Sequence, residues 1–236
     1  MAYIIFRDVS TESLQGVKVG KMPDHRKAKM RMTEYYVKGR DGALHVDEGF
    51  SNFTLQATLV LINGEAFSRQ IVNAWADGTG KLILSDQLNY AYRASVKDEI
   101  RWNRVPGNVV NGELRFFDTA QISFDCEPYM YEAVESVYVL TETGGLLNPG
   151  SAESIPKIVV EGQGDTTFSV NGEEITISGM TSGVPVTIDC ETGYVYTPSG
   201  ATTITGGFPV LGIGVNNINI ETPGTVLTIT PHWRWV

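Results

Sequence analysis

Apolar and polar residues alternate along most of this chain with the period of two that a half-buried strand requires. The clearest run is 53–62, where Phe53, Leu55, Ala57 and Leu59 share one face. Similar runs predict strands at 3–6, 81–84, 90–96, 100–105, 114–117 and 121–126, and later at 184–189, 194–197, 217–220 and 226–230. Only residues 65–77 break the pattern. There Phe67, Ile71, Ala74 and Trp75 fall at i, i+4, i+7 and i+8, which predicts one helix, and Gly78 stands where a left-handed C-terminal cap is expected.

Turn chemistry punctuates the strands. Arg40-Asp41-Gly42 reads as a tight turn, because Asp bonds to nearby backbone and Gly accepts positive φ. Asn111-Gly112 and Asn171-Gly172 are hairpin signals, since both central residues of a type I′ turn need φ above zero. Pairing across Asn171-Gly172 sets Phe168 opposite Ile175 and Thr166 opposite Ile177. The Gly/Pro-rich run 141–150 reads as a linker between two domains, 1–145 and 146–236. The second has enough alternating strands to close its own core, with Phe168, Ile175, Ile188, Phe208 and Ile229 as members. The fold class is mainly β with one short helix, and the spacing of the later strands is that of a β-sandwich.

Charge sharpens the division. Of the 18 Lys+Arg and 27 Asp+Glu, 16 and 19 lie in 1–145 (16 − 19 = −3), and 2 and 8 in 146–236 (2 − 8 = −6). The net −9 argues against general nucleic-acid binding, which needs excess cations to neutralise phosphates. Lys18, Lys21, Arg26, Lys27, Lys29 and Arg31 form a local basic stretch, either a solvated hairpin or a contact surface for an acidic partner. Cys126 and Cys190 lack CxxC spacing and read as free thiols in a reducing compartment. The apolar N-terminal stretch is too short for a signal peptide, and no apolar run is long enough to span a membrane, so a soluble protein made in the cytosol is expected.

No catalytic, cofactor-binding or metal-ligating constellation emerges. His25, His45 and His232 are isolated, and Gly212-Ile213-Gly214 lacks the third glycine and following helix of a dinucleotide fingerprint. Asp47-Glu48, Asp98-Glu99 and Glu173-Glu174 are sequence neighbours that a strand would point to opposite faces. Aromatics offer the better candidates for contact. Tyr194 with Tyr196, and Trp233 with Trp235, share strand faces, and such platforms serve protein interfaces or stack on sugar rings.

Several motifs, in order along the chain, resemble the distal tail proteins of long, non-contractile-tailed bacteriophages, chiefly those of Gram-positive hosts. They are Val37-Lys38-Gly39-Arg40-Asp41-Gly42-Ala43-Leu44, Ile71-Val72-Asn73-Ala74-Trp75, Ile155-Pro156-Lys157-Ile158 with Glu161-Gly162-Gln163-Gly164, Ile188-Asp189-Cys190-Glu191 with Val195-Tyr196, Gly207 to Asn216, and Pro231-His232-Trp233-Arg234. Lys38 replaces a common Pro, and Ala76 replaces a larger apolar residue. The resemblance implies an N-terminal β-sandwich with a helix and an extended hairpin, and a C-terminal galectin-like sandwich. It further implies a structural protein without enzymatic activity or cofactor, at the distal end of the virion tail. Such a protein forms a homo-hexameric ring between the tail tube protein and a tail-tip or tail-associated lysin protein. Receptor-binding proteins attach in some members, and genomic DNA passes only as cargo. Gly39, Arg40, Asp41 and Gly42, with Lys27 and Arg31, are the expected assembly residues. Tyr194, Tyr196, Trp233 and Trp235 are a possible aromatic contact surface. The alternative is a host-surface adhesin with a carbohydrate-binding second domain; a cell-wall hydrolase finds no candidate residues.

Overall fold

A computed structural model describes residues 2–62, 66–111 and 113–236. The chain divides into two compact units, 1–133 (with Val236) and 134–235.

The first unit contains β1 (Ile4–Phe6), β2 (Val9–Ser10), β3 (Val17–Lys21), β4 (Met30–Tyr35), β5 (Leu44–Phe50), β6 (Phe53–Ile62), α1 (Ala66–Trp75), β7 (Gly78–Leu84), β8 (Tyr90–Val96), β9 (Trp102–Val110) and β10 (Glu113–Glu132). One sheet runs β2-β1-β7-β8-β10-β6-β3, with β9 also pairing to β10. It curls so that its two ends face one another as the layers of a sandwich do. Ile4 and Phe6 on β1 thereby share a core with Leu55 and Leu59 on β6 and Phe124 on β10. The alternation expected in β6 holds: Leu55, Ala57, Leu59 and Leu61 are buried and Thr54 and Gln56 are exposed.

The helix is present, but with a different face inward. Val72, Trp75 and Ala76 are buried, whereas Ala74 is exposed and Ile71 half-buried. Glu65 lies outside the described residues, as does the side chain of Phe67. Trp75 sets the rotation. Its ring meets Phe6 and Phe124 edge-on at 6.0 and 6.3 Å, and its indole N–H donates to the Val9 carbonyl at 2.8 Å. A small residue at Ala76, 1% exposed, lets the helix end close on the sheet. Gly78 takes φ +89°, as expected, and the Arg7 guanidinium donates to the Asp77 carbonyl at 2.5 Å beside it.

Runs 114–117 and 121–126 are one strand of 20 residues, β10. Asp118 interrupts the alternation but is accommodated: it is 1% exposed and accepts from Arg69 Nη2 at 2.7 Å and Arg104 Nε at 3.0 Å. Pro128 falls where the β8–β10 register shifts between Cys126 and Met130, a bulge that spares it from donating to the ladder. Asn111 has φ +54°, as its hairpin turn requires; Gly112 lies outside the described residues.

The second unit contains β11 (Tyr138–Leu140), β12 (Gly144–Asn148), β13 (Lys157–Glu161), β14 (Gly164–Val170), β15 (Glu173–Met180), β16 (Val186–Asp189), β17 (Tyr194–Thr197), β18 (Gly200–Ala201), β19 (Gly214–Ile220), β20 (Val226–Thr230) and β21 (Arg234–Trp235). Two sheets, β11-β20-β13-β16-β17-β18 and β12-β19-β14-β15, enclose a core that includes Phe168, Ile175, Ile188 and Ile229. The hairpin register is the expected one, with Phe168↔Ile175 and Thr166↔Ile177 across a turn whose φ values are +52° and +88°. Two readings are corrected. Within the expected linker 141–150, residues 144–148 form β12, paired Gly144↔Ile218 to Asn148↔Gly214 inside the second unit, and the break falls upstream at Ala133. Phe208 is 39% exposed and outside the core; Trp233, fully buried, takes the place of a large core aromatic.

Cys126 and Cys190 are free thiols. Burial, with a carboxylate neighbour in each case, pushes both up to about 12, so neither is a ready nucleophile. No described helix is long and apolar enough to cross a membrane.

Candidate assembly surfaces

β4 and β5 form a two-stranded sheet of their own, and nearly all of its residues are exposed. Its tip is closed by a bond from the Arg40 amide to the Val37 carbonyl at 3.1 Å, with Gly39 at φ +86°. This four-residue turn, Val37 to Arg40, lies earlier than the expected Arg40-Asp41-Gly42. Its third residue has the positive φ of a type II turn, whose second position favours Pro, and Lys38 occupies that position. Gly42 also has positive φ, +77°. Gly39 and Gly42 therefore hold the tip, while Arg40 and Asp41 present their exposed side chains there.

The ladder pairs Met32↔Asp47, Thr33↔Val46, Glu34↔His45 and Tyr35↔Leu44. Paired residues share a face, so one face carries Met32, Asp47, Glu34 and His45. The other carries Thr33, Val46, Tyr35 and Leu44, with one charge at its base, where the Thr33 hydroxyl donates to the Glu48 carboxylate. Tyr35 is 55% and Val46 49% exposed. At the base, two residues of β5 oppose Arg31, and Gly49 (φ +79°) makes the bulge. Arg31 donates to the Glu48 carbonyl at 2.7 Å, bracing that bulge. Lys27 is exposed in the connector before β4, between buried Pro23 and Ala28. Within the same basic stretch Lys21 pairs with Asp24 at 3.3 Å, and His25 bonds Asp86 at 2.8 Å.

A second hairpin, β9–β10, runs beyond the part of β10 that pairs with β6, which starts at Phe117. Past that point Val109 pairs with Leu114, and Pro106 with Phe116, on the same strand face as buried Ala120 and Ile122. The core-facing side of the sheet thus continues outward as an exposed apolar stripe. Asp118, Arg69 and Arg104 stand at the edge of the core, with the Arg104 guanidinium 5.9 Å over the Phe116 ring. Hydrogen bonds from Arg104, and secondarily from Arg69, hold the Asp118 carboxyl below the usual carboxylate range. Its stabilising effect is therefore complete above the ordinary value near ~3.9 and disappears as pH falls through the lower folded one. Asp118→Asn is expected to cost about 2 kcal/mol at pH 7. That is modest for a buried pair, because Arg69 and Arg104 keep 33% and 53% of their side chains exposed. Melting curves should show the gap between variant and parent closing below roughly pH 4.

The aromatic candidates separate. Tyr194 and Tyr196 lie together, ring centroids 6.2 Å apart, with Tyr194 55% exposed. Trp233 is fully buried and Trp235 half-buried against the core, so neither extends that platform. His232, at φ +53°, turns the chain at this point, and its Nδ1 lies 3.1 Å from the Ile155 carbonyl oxygen. Among the described residues, no three His, Cys, Asp or Glu side chains gather to hold a metal.

Sequence reasoning missed a network of buried asparagines. The Asn216 amide donates to the carbonyls of Leu146, Gly212 and Gly214 at 3.0–3.3 Å. Its oxygen accepts from Asn171 Nδ2 at 2.9 Å. The Asn148 amide donates to Ala152, Leu211 and Gly212 carbonyls, and its oxygen accepts from the Gly150 amide. The two side chains thus hold the 207–216 loop. The available signal was an asparagine, a poor strand former, repeated inside strand-patterned segments and next to glycines.

No protein-family model matches the chain, and no curated protein sequence matches it. Solved structures do. The SPP1 Dit protein, described as a paradigm of the hub adsorption apparatus in phages infecting Gram-positive bacteria, aligns at TM-score 0.67 and 15% identity, over 97% of this chain and 98% of that one. The fold is that of a phage distal tail protein. Chains of the phage P2 baseplate, in its activated conformation with Ca or Sr, align less closely, at TM-scores 0.46 and 0.45, with 10% and 12% identity and 97% coverage of both chains. The alignment with SPP1 Dit covers nearly the whole chain and so takes in both units.

Proposed function

We propose that this chain is a structural hub of a bacteriophage tail, a ring-forming distal tail protein rather than an enzyme. The observation that carries the reading is the SPP1 Dit alignment across almost the full length of both chains. In this reading six copies close a ring at the distal end of a non-contractile tail. The tail tube protein stacks on one side, the tip or lysin protein on the other, and receptor-binding proteins attach at the periphery. Exposed apolar faces on the β4–β5 and β9–β10 hairpins support ring contacts in the first unit, since a closed ring needs a heterologous surface repeated around an axis. Gly39 and Gly42 shape the hairpin tip, and Lys27, Arg31, Arg40 and Asp41 flank its apolar face. The second unit, with its own core, projects outward. A net acidic chain suits a ring that passes DNA without gripping it. A reconstruction of the virion tail tests the reading: six copies of this chain in one ring are expected, and three or twelve at that level overturn it.

A further inference from the structure

Beside Tyr194 the second unit carries a small cavity of about 280 Å³. Tyr194 and Phe208, 55% and 39% exposed, line it, with Gly193, Ala201, Thr203 and Ile204 between them. Gly193, at φ +66°, lies against Phe208: a Cβ there would be 3.9 Å from the ring edge. On β17 and β18 Tyr196 pairs with Ala201, so Tyr194, Tyr196 and Ala201 all point to the outer side of their sheet. The floor is thus made of small residues, and the walls of two rings.

Charge narrows the occupant. No charged residue lines the cavity. Two carboxylates stand beside it, and Lys157 lies one strand further, paired with Asp189. Asp189 pairs with Tyr194 in the ladder, and Glu173 Oε2 lies 3.9 Å from where a Cβ on Gly207 would be. Asp189 Oδ1 is committed to the Glu191 and Thr192 amides at 3.1 and 3.2 Å, which fixes the carboxylate beside the tyrosine and leaves Oδ2 for a donor. An anionic polymer meets like charge here. A ring with an apolar C–H face and hydroxyl donors at its edge meets aromatic faces and acceptors. The volume suits one such ring, being at the lower limit of small-ligand sites.

We propose that this cavity binds a single neutral pyranose ring, stacked between Tyr194 and Phe208 with its hydroxyls donating to Asp189 and to Glu173. The site belongs to the second unit alone and stands whether or not the ring of copies forms.

The test is a titration of the isotope-labelled intact chain with glucose, galactose and N-acetylglucosamine, followed by amide chemical shifts. At least one sugar is expected to shift resonances confined to 189–208 and the start of β15 at 173–174, with Kd roughly millimolar, as a single ring with few contacts allows. Tyr194→Ala and Phe208→Ala should each weaken binding about tenfold or more, while Tyr194→Phe, which keeps the ring, stays within about threefold. Melting temperatures of all three variants should match the parent, since both side chains are well exposed. The proposal fails if none of the three sugars shifts these amides at roughly 100 mM. It fails equally if Tyr194→Ala binds as tightly as the parent, or if only an anionic polymer such as poly(glycerol phosphate) shifts them.

Discussion

Phage carrying Tyr35→Glu with Val46→Glu in this chain are expected to yield no assembled tails, although the protein itself folds and melts as the parent does. Both residues lie on the more apolar face of the β4–β5 hairpin, at 55% and 49% exposure, so each glutamate remains solvated in the free chain. Surface changes of this kind alter stability by about 0.5 kcal/mol or less. Seated against a neighbouring copy, the same carboxylates lose water with no partner, at a cost of several kcal/mol for each contact. A closed ring repeats that cost at every interface, so the effect is all-or-none. Electron microscopy of lysates from a complementation assay provides the measurement. Normal tails from the double variant would mean that this face stays bare in the virion, and the ring contacts would have to be sought on the β9–β10 stripe.

Asn216→Leu is expected to produce the largest loss of stability from a single side chain in the second unit. The substitution nearly preserves volume but removes both N–H donors of the amide, shared among three carbonyls; Gly212 keeps Asn148 Nδ2, while the Leu146 and Gly214 carbonyls lose this partner in a site 1% exposed. Asn171 Nδ2 loses its acceptor too. An orphaned buried polar group costs roughly 1–3 kcal/mol. Some of these groups can regain water, so about 3–5 kcal/mol is expected in total. In a unit of this size each kcal/mol lowers the midpoint by about 4–8 °C, and a calorimetric scan should show the drop in the transition of the second unit alone. A change of less than about 1 kcal/mol would make the network dispensable.

The parts of the fold that can be read in advance are those where one local rule decides. Asn171-Gly172 has a turn type that fixes its own register, so the pairing of Phe168 with Ile175 follows from spacing. The helix is legible as a helix, but its inward face is not. Residues 71, 72, 74, 75 and 76 are all apolar, so periodicity permits several rotations, and the docking of Trp75 on Phe6 and Phe124 selects one. Asp118 splits β10 in the sequence because its charge contradicts a buried position. Arg69, distant in sequence, and Arg104 remove the contradiction. Gly144-Gly145 has linker composition yet lies in a strand: a Cβ on Gly145 would stand 3.5 Å from the Val215 side chain. Aromatics show the same limit. Nothing local distinguishes Trp233, which the core takes in, from Phe208, which it leaves at the surface. Of the candidate contact residues, the hairpin tip glycines and Tyr194 were accessible from sequence, whereas the bulge at Gly49 and the asparagine network depend on long-range pairing.

The Asn171-Gly172 turn also gives the protein a chemical age. An asparagine followed by glycine is the dipeptide most open to attack of the next amide nitrogen on the side-chain carbonyl, which releases ammonia and forms a cyclic imide that water then opens to an acid. Here both ends of the Asn171 side chain are engaged: Nδ2 donates to Asn216 Oδ1, and Oδ1 accepts from the Asn217 amide, each at 2.9 Å. Those two bonds hold the side chain away from the geometry of cyclisation, so the reaction is slow while β19 stays in place. Once it occurs, an oxygen faces Asn216 Oδ1 where a donor had been, and the Asn216 amide is already spent on three carbonyls. Acceptor meets acceptor, so of the two side-chain bonds only the one from the Asn217 amide can re-form. Deamidation at this one turn would thus loosen the second unit during storage without touching the core of the first.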